Sequence, residues 1–192
     1  MRKIIIVHLI FERCLSQFES FVSCALLLFF RGGKKLNFVM RTMEHNISMK
    51  TQFNQERLLS HALPLYRTTM SLIGRNVGIN TAYGKCLVDE MTESETATIK
   101  HDPVQFKIVL FNKMYIAFIF RRFDTMKEFA NIFFTEKVAS FYIFFMVNTM
   151  NTFFGGLCSF WIARRTRESA WFERGEKALS QLKDWAESSK VC

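Results

Sequence analysis

DPVQFKIVLFNKMYIAFIFRRFDTMKEFANIFFTEK, residues 102–137, decides the fold. Asp102 can cap the orphan amides of a helix, and Pro103 is tolerated at its first position. From 104 to 120 the pattern is apolar on nearly every side, with Gln105, Lys107, Asn112 and Lys113 as the strongly polar residues. Such a helix needs partners on several sides. Arg121-Arg122-Phe123 reads as a turn. Asp124 or Thr125 then starts an amphipathic helix, Thr125 and Glu128 form a capping box, and Met126, Phe129, Ala130 and Phe133 supply the buried stripe. The arrangement recurs downstream. Residues 138–163 carry no charge, and an amphipathic helix follows with Trp171, Phe172, Ala178, Leu179, Leu182, Trp185 and Ala186 on one face. Phe111, Phe118 and Ile119 recur as Phe153, Phe160 and Trp161, an offset of 42 residues. Apolar–amphipathic helix pairs at such a period are the sequence form of an α-solenoid. The expected fold is all-α, a solenoid of about four irregular antiparallel helix pairs.

Upstream, residues 1–33 form an apolar helical segment, an incomplete repeat stopped by Arg31-Gly32-Gly33. Residues 34–101 hold one or two further helix pairs. Leu36, Val39, Met40, Met43 and Ile47 recur three to four apart. Asn54 can cap the next helix, in which Pro64 should introduce a kink, and Gly74 is placed to end it in the left-handed conformation. Residues 75–101 are the least periodic stretch and the expected mobile loop; Thr92 and Glu95 in it form a further capping-box pattern. The last two repeats are 102–137 and 138–190.

Composition supports this reading. Of 192 residues 49% are apolar, enough for a sizeable core, while two prolines and eight glycines are too few for a turn-rich β fold. The net charge of +9 is not gathered into one stripe: residues 1–50 carry +5, 51–100 balance, and the C-terminal charges alternate in sign. That disfavours nucleic acid as a partner. Five cysteines at 14, 24, 86, 158 and 192 are odd in number and widely spaced. They fit a reducing, cytoplasmic compartment better than a disulfide framework. The Asn46-Ile47-Ser48 triplet carries little weight as a glycosylation signal on a helix there.

No catalytic, cofactor-binding or metal-binding residues are expected. His8, His45, His61 and His101 are scattered without a second ligand at helical spacing. Gly32-Gly33 and Gly155-Gly156 lack the pattern of a phosphate loop. The serines and cysteines have no evident base.

From about Phe18 to Lys190 the pattern resembles the helical-repeat region of large multidomain signalling proteins of diatoms and fungi. These carry an AAA-type (STAND-class) ATPase with kinase, histidine kinase or cyclase domains. The matching stretches are Phe53-Asn54-Gln55 before the helix with Pro64, Tyr83-Gly84-Lys85, Ala117-Phe118-Ile119-Phe120 before Phe123, and Ala163-Arg164-Arg165-Thr166. The resemblance implies degenerate tetratricopeptide (TPR-like) repeats. It further implies a non-catalytic scaffold that binds a protein partner or the flanking domains of a longer signalling ATPase. The ATPase, kinase and cyclase motifs themselves are absent from this sequence. It also departs at the turn, where such repeats favour glycine near Arg121 and alanine near Met126. The alternative is a small membrane protein anchored through residues 138–163. Their length and the following Arg164, Arg165 and Arg167 suit a span of about 20 residues. Asn148, Asn151, Thr152, Gly155 and Ser159 would then form a small, polar helix-contact face.

Overall fold

The computed structural model describes residues 35–54, 56–74, 102–135 and 145–188. The protein is all-helical. Among the described residues there are six helices and no strand: α1 (Leu36–Gln52), α2 (Glu56–Ile73), α3 (Pro103–Ile119), α4 (Phe123–Thr135), α5 (Phe145–Thr166) and α6 (Ser169–Ser188). The expected N-terminal segment 1–33, the loop 75–101 and residues 138–144 lie outside the described residues. So do Thr92 and Glu95.

The chain divides into two compact units, residues 1–75 and 76–192. In the first, α1 and α2 form an antiparallel pair. Val39, Met40 and Met43 of α1 are buried, as are Leu59, Ala62 and Leu65 of α2. Polar residues inside this pair are satisfied locally: Thr68 Oγ1 donates to the Pro64 carbonyl at 2.8 Å and Thr69 Oγ1 to the Leu65 carbonyl at 2.9 Å. Proline offers no amide to the ladder, yet α2 continues through Pro64 as one element.

In the second unit, Asp102 caps α3 as its sequence suggests, accepting from the Gln105 amide at 3.1 Å. Three antiparallel neighbours follow. Lys113 meets Phe129 across α3 and α4, Gly155 meets Phe134 across α4 and α5, and Gly156 meets Ala178 across α5 and α6. The first helices of the two pairs, α3 and α5, lie side by side and run parallel: Phe111 contacts Phe154 with ring centroids 6.3 Å apart, and Phe118 contacts Trp161 at 5.5 Å.

Those contacts fall close to the period seen in the sequence. The 42-residue offset joins positions of like burial at Phe118 and Phe160, but not at Phe111, which is 6% exposed, and Phe153, which is 44% exposed. It is one residue short of the spacing between touching rings on α3 and α5. The tight turns at Arg121 and Arg167 are four residues further apart than that offset.

Four helix ends close in the left-handed region: Asn54 (φ 50°), Gly74 (φ 73°), Arg121 (φ 58°) and Arg167 (φ 65°). Gly74 does what its sequence position suggests. Asn54, expected to open α2, instead carries the left-handed stop after α1, a role asparagine tolerates. At the end of α3, the Arg122 amide donates to the Ala117 carbonyl at 2.8 Å and the Arg121 amide to the Phe118 carbonyl at 3.2 Å. This double closure puts the fifth residue in the left-handed well. The glycine expected near Arg121 in tetratricopeptide-like repeats therefore has a backbone reason here. Arg121→Gly is expected to raise stability by about 0.5–1 kcal/mol, read as a higher urea midpoint with an unchanged slope.

The start of α4 corrects another expectation. The helix begins at Phe123, and the Met126 amide donates to the Arg122 carbonyl at 2.9 Å. Thr125 is thus already inside the helix, so Thr125 and Glu128 do not form the expected capping box. Met126 is 0% exposed.

Candidate interaction surface

The two lysines of α3 show how an apolar helix accommodates charge. Lys107 Nζ donates to the Phe133 carbonyl in the last turn of α4 and sits 4.0 Å from the Phe133 ring centroid. A cation there completes carbonyls that the helix leaves open. Lys113 is buried with its ammonium 5.0 Å from the Phe129 ring centroid. Both charges are engaged in packing α3 against α4.

The aromatic residues join the helices of this unit. Phe154 of α5 contacts Phe111, Tyr115 and Phe118 of α3. Trp161 links Phe118 to Phe123, and Phe134 links Phe133 to Trp171 of α6. At the rim, Phe160 stacks edge-on against Phe172 at 5.8 Å.

Gly155 and Gly156 set the spacing of α5. A Cβ on Gly155 would lie 3.0 Å from the Phe134 ring, and one on Gly156 would lie 3.0 Å from Ala178 Cβ. Their use is close approach to two neighbours. Ser159 is fully buried and donates to the Gly155 carbonyl at 2.8 Å. The expected small, polar face of α5 is thus a packing face at these positions. Asn151 Oδ1 is shielded from solvent with no hydrogen-bond partner among the described residues.

Reactive groups are not gathered. Among the described residues no three His, Cys, Asp or Glu side chains could hold a metal ion. His45 is exposed on α1, His61 falls in α2, and His8 and His101 lie outside the described residues. Burial pushes the Cys158 thiol up to about 12 and the Tyr115 hydroxyl likewise to about 12. A thiol so disfavoured as thiolate is a poor nucleophile.

The exposed Glu168 carboxylate pairs with Lys127 of α4 at 2.8 Å. That hydrogen bond, foremost, holds its pKa below the ordinary carboxylate value. A depressed pKa stabilises the fold above the unfolded value and ceases to do so as pH falls through the folded one. Glu168→Gln is therefore expected to lower the unfolding midpoint slightly at neutral pH and to converge on the parent only as pH falls through the depressed folded value, beneath the ordinary glutamate range. The neutral-pH difference should shrink in added salt.

The distinctive surface is on α6. Its apolar residues do not form the single face expected. Trp171, Gly175, Ala178, Leu182 and Trp185 recur at alternating steps of four and three and make the inward stripe, with Trp171 and Gly175 buried. Phe172, Leu179 and Ala186 belong to a second stripe. Phe172 is 55% exposed, Leu179 is 38% exposed, and Ala186 is also on the surface. Their seven-residue spacing was the available sequence signal. Phe153 and Leu157 of α5 are also exposed. Gly175 lets the Phe160 ring press against α6, since a Cβ there would lie 2.7 Å from it. A shallow cleft of about 450 Å³ at the α5–α6 turn is lined by Phe160, Arg164, Arg167 and Phe172.

Comparison with protein-family models, curated proteins and solved structures gives no match. Among the described residues no helix is long and apolar enough to cross a membrane.

Proposed function

We propose that this protein is a non-catalytic helical-repeat scaffold. In this reading it acts in the cytoplasm and binds a protein partner or the flanking domains of a longer signalling ATPase. The observation that carries the reading is the parallel, side-by-side placement of α3 and α5. Helical repeats bury their faces by stacking successive pairs in this way. The exposed Phe172 and Leu179 on α6 are available to a binding partner. The link to a signalling ATPase rests on the sequence resemblance alone.

The test is chemical cross-linking in native cells followed by mass mapping. Lys127, Lys177 and Lys183 should cross-link repeatedly to one partner protein or to a contiguous flanking domain. Cross-links scattered over many proteins would count against a scaffold. The rival reading, an anchor through residues 138–163, has the absence of charge in that stretch in its favour. Retention in membranes after an alkaline carbonate wash, with release on deleting 138–163, would favour the anchor.

A further inference from the structure

The outward stripe of α6 reads Phe172, Glu176, Leu179, Lys183, Ala186, at steps of four and three. All five residues are exposed. Alternating steps of that kind keep a seam on one side of a helix and are the spacing by which two helices pack along their length. The order of residues within the seam is unusual in being its own complement when reversed. Turning the helix end for end about Leu179 places Phe172 opposite Ala186, a large residue against a small one. The same operation sets Leu179 against Leu179 and brings Glu176 alongside Lys183, twice in each pair of helices.

We propose that α6 docks against α6 of a second copy of this chain, antiparallel, through this stripe. A two-fold interface presents one patch to itself, so every contact must be satisfied by the reversed sequence. Here size and charge both meet that condition. A parallel pairing would instead set Phe172 against Phe172, Glu176 against Glu176 and Lys183 against Lys183, with like charges in register. An unrelated partner would impose no requirement that the stripe match its own reversal. Phe160 of α5 meets Phe172 at one end of the seam, with ring centroids 5.8 Å apart.

The experiment uses the purified full chain alone, so it reports on self-association independently of any scaffold partner. Sedimentation velocity over a range of concentrations should show a monomer–dimer equilibrium for the parent. Glu176→Lys and Lys183→Glu, each alone, put like charges together at both ends of the seam. Each should weaken the dimer about tenfold or more at low salt, with far-UV circular dichroism unchanged. The double variant Glu176→Lys/Lys183→Glu restores opposite charges only if a second copy lies antiparallel, and it should recover the parent's dimer. A parent that stays monomeric at every concentration overturns the proposal. So does a dimer indifferent to the single reversals, or one that the double variant fails to restore.

Discussion

Ala130→Glu is expected to unfold the second unit at neutral pH. Ala130 is 0% exposed on α4. A carboxyl forced into such a site is raised by up to roughly 3–5 pKa units, so at pH 7 it stays protonated, at a cost of about 3–4 kcal/mol relative to the unfolded chain. Small-to-large overpacking adds about 1–3 kcal/mol. A domain of this size has a total stability of about 5–15 kcal/mol, so the loss is comparable with the whole. The sign with pH is opposite to that for Glu168. Below about pH 4.3 the glutamic acid is protonated in both states and the charge penalty vanishes, leaving the packing cost. As pH rises towards the raised folded value, the penalty grows to its full size. Circular dichroism against pH should therefore show the variant most folded in acid. Asn131→Glu, one residue along and exposed, should change stability by less than about 0.5 kcal/mol. An Ala130→Glu variant with the parent's neutral-pH midpoint would show that α4 does not face a core.

Trp171→Ala is the second large effect, a loss of about 3–5 kcal/mol in urea unfolding. Trp171 is 4% exposed in the first turn of α6, and its ring lies 5.9 Å from that of Phe134 on α4. The Arg174 guanidinium is 4.5 Å from the Trp171 ring centroid and 4.6 Å from that of Phe134. Removing the indole opens a cavity at the point where α6 meets the preceding pair. It also strips the guanidinium of one of its two aromatic faces. Phe120→Ala provides the contrast, because Phe120 is 49% exposed and should be nearly silent. Equal midpoints for the two variants would refute the assignment of Trp171 to the core.

The legible parts of this fold were those with a local chemical cause. Asp102-Pro103 specified a helix start, and Gly74 a helix stop, because a carboxylate cap and an unhindered left-handed backbone act within a few residues. Val39, Met40 and Met43 were legible from spacing alone. Arg121 and Arg167 were not, since arginine carries no mark of a left-handed backbone; the double closure of α3 imposes it at Arg121. The 42-residue offset between Phe111 and Phe153 lies one residue from the spacing at which rings on α3 and α5 touch. Contact and equivalence leave the same trace in a single sequence. The outward stripe on α6 was hidden for a related reason: Trp171 and Phe172 are neighbours in sequence and both apolar. Only the position of Phe134 and Phe160 around the helix tells which of them is inside.

The brief turns between α1 and α2, α3 and α4, and α5 and α6 have a kinetic consequence. Each antiparallel pair is made of contacts between residues close in the chain, so little loop entropy is lost before the first apolar contacts form. Proteins dominated by such neighbours fold quickly. Ring pairs such as Phe111 with Phe154 and Phe118 with Trp161, together with the Lys127–Glu168 ion pair, join more distant segments. On a ribosome, α3 and α4 would emerge complete before Phe154 and Trp161 exist to cover them. The exposed side of α3 would then wait, briefly adhesive, for α5. The hazard for this chain in the cell is thus greatest during synthesis, over the interval that separates one helix pair from the next.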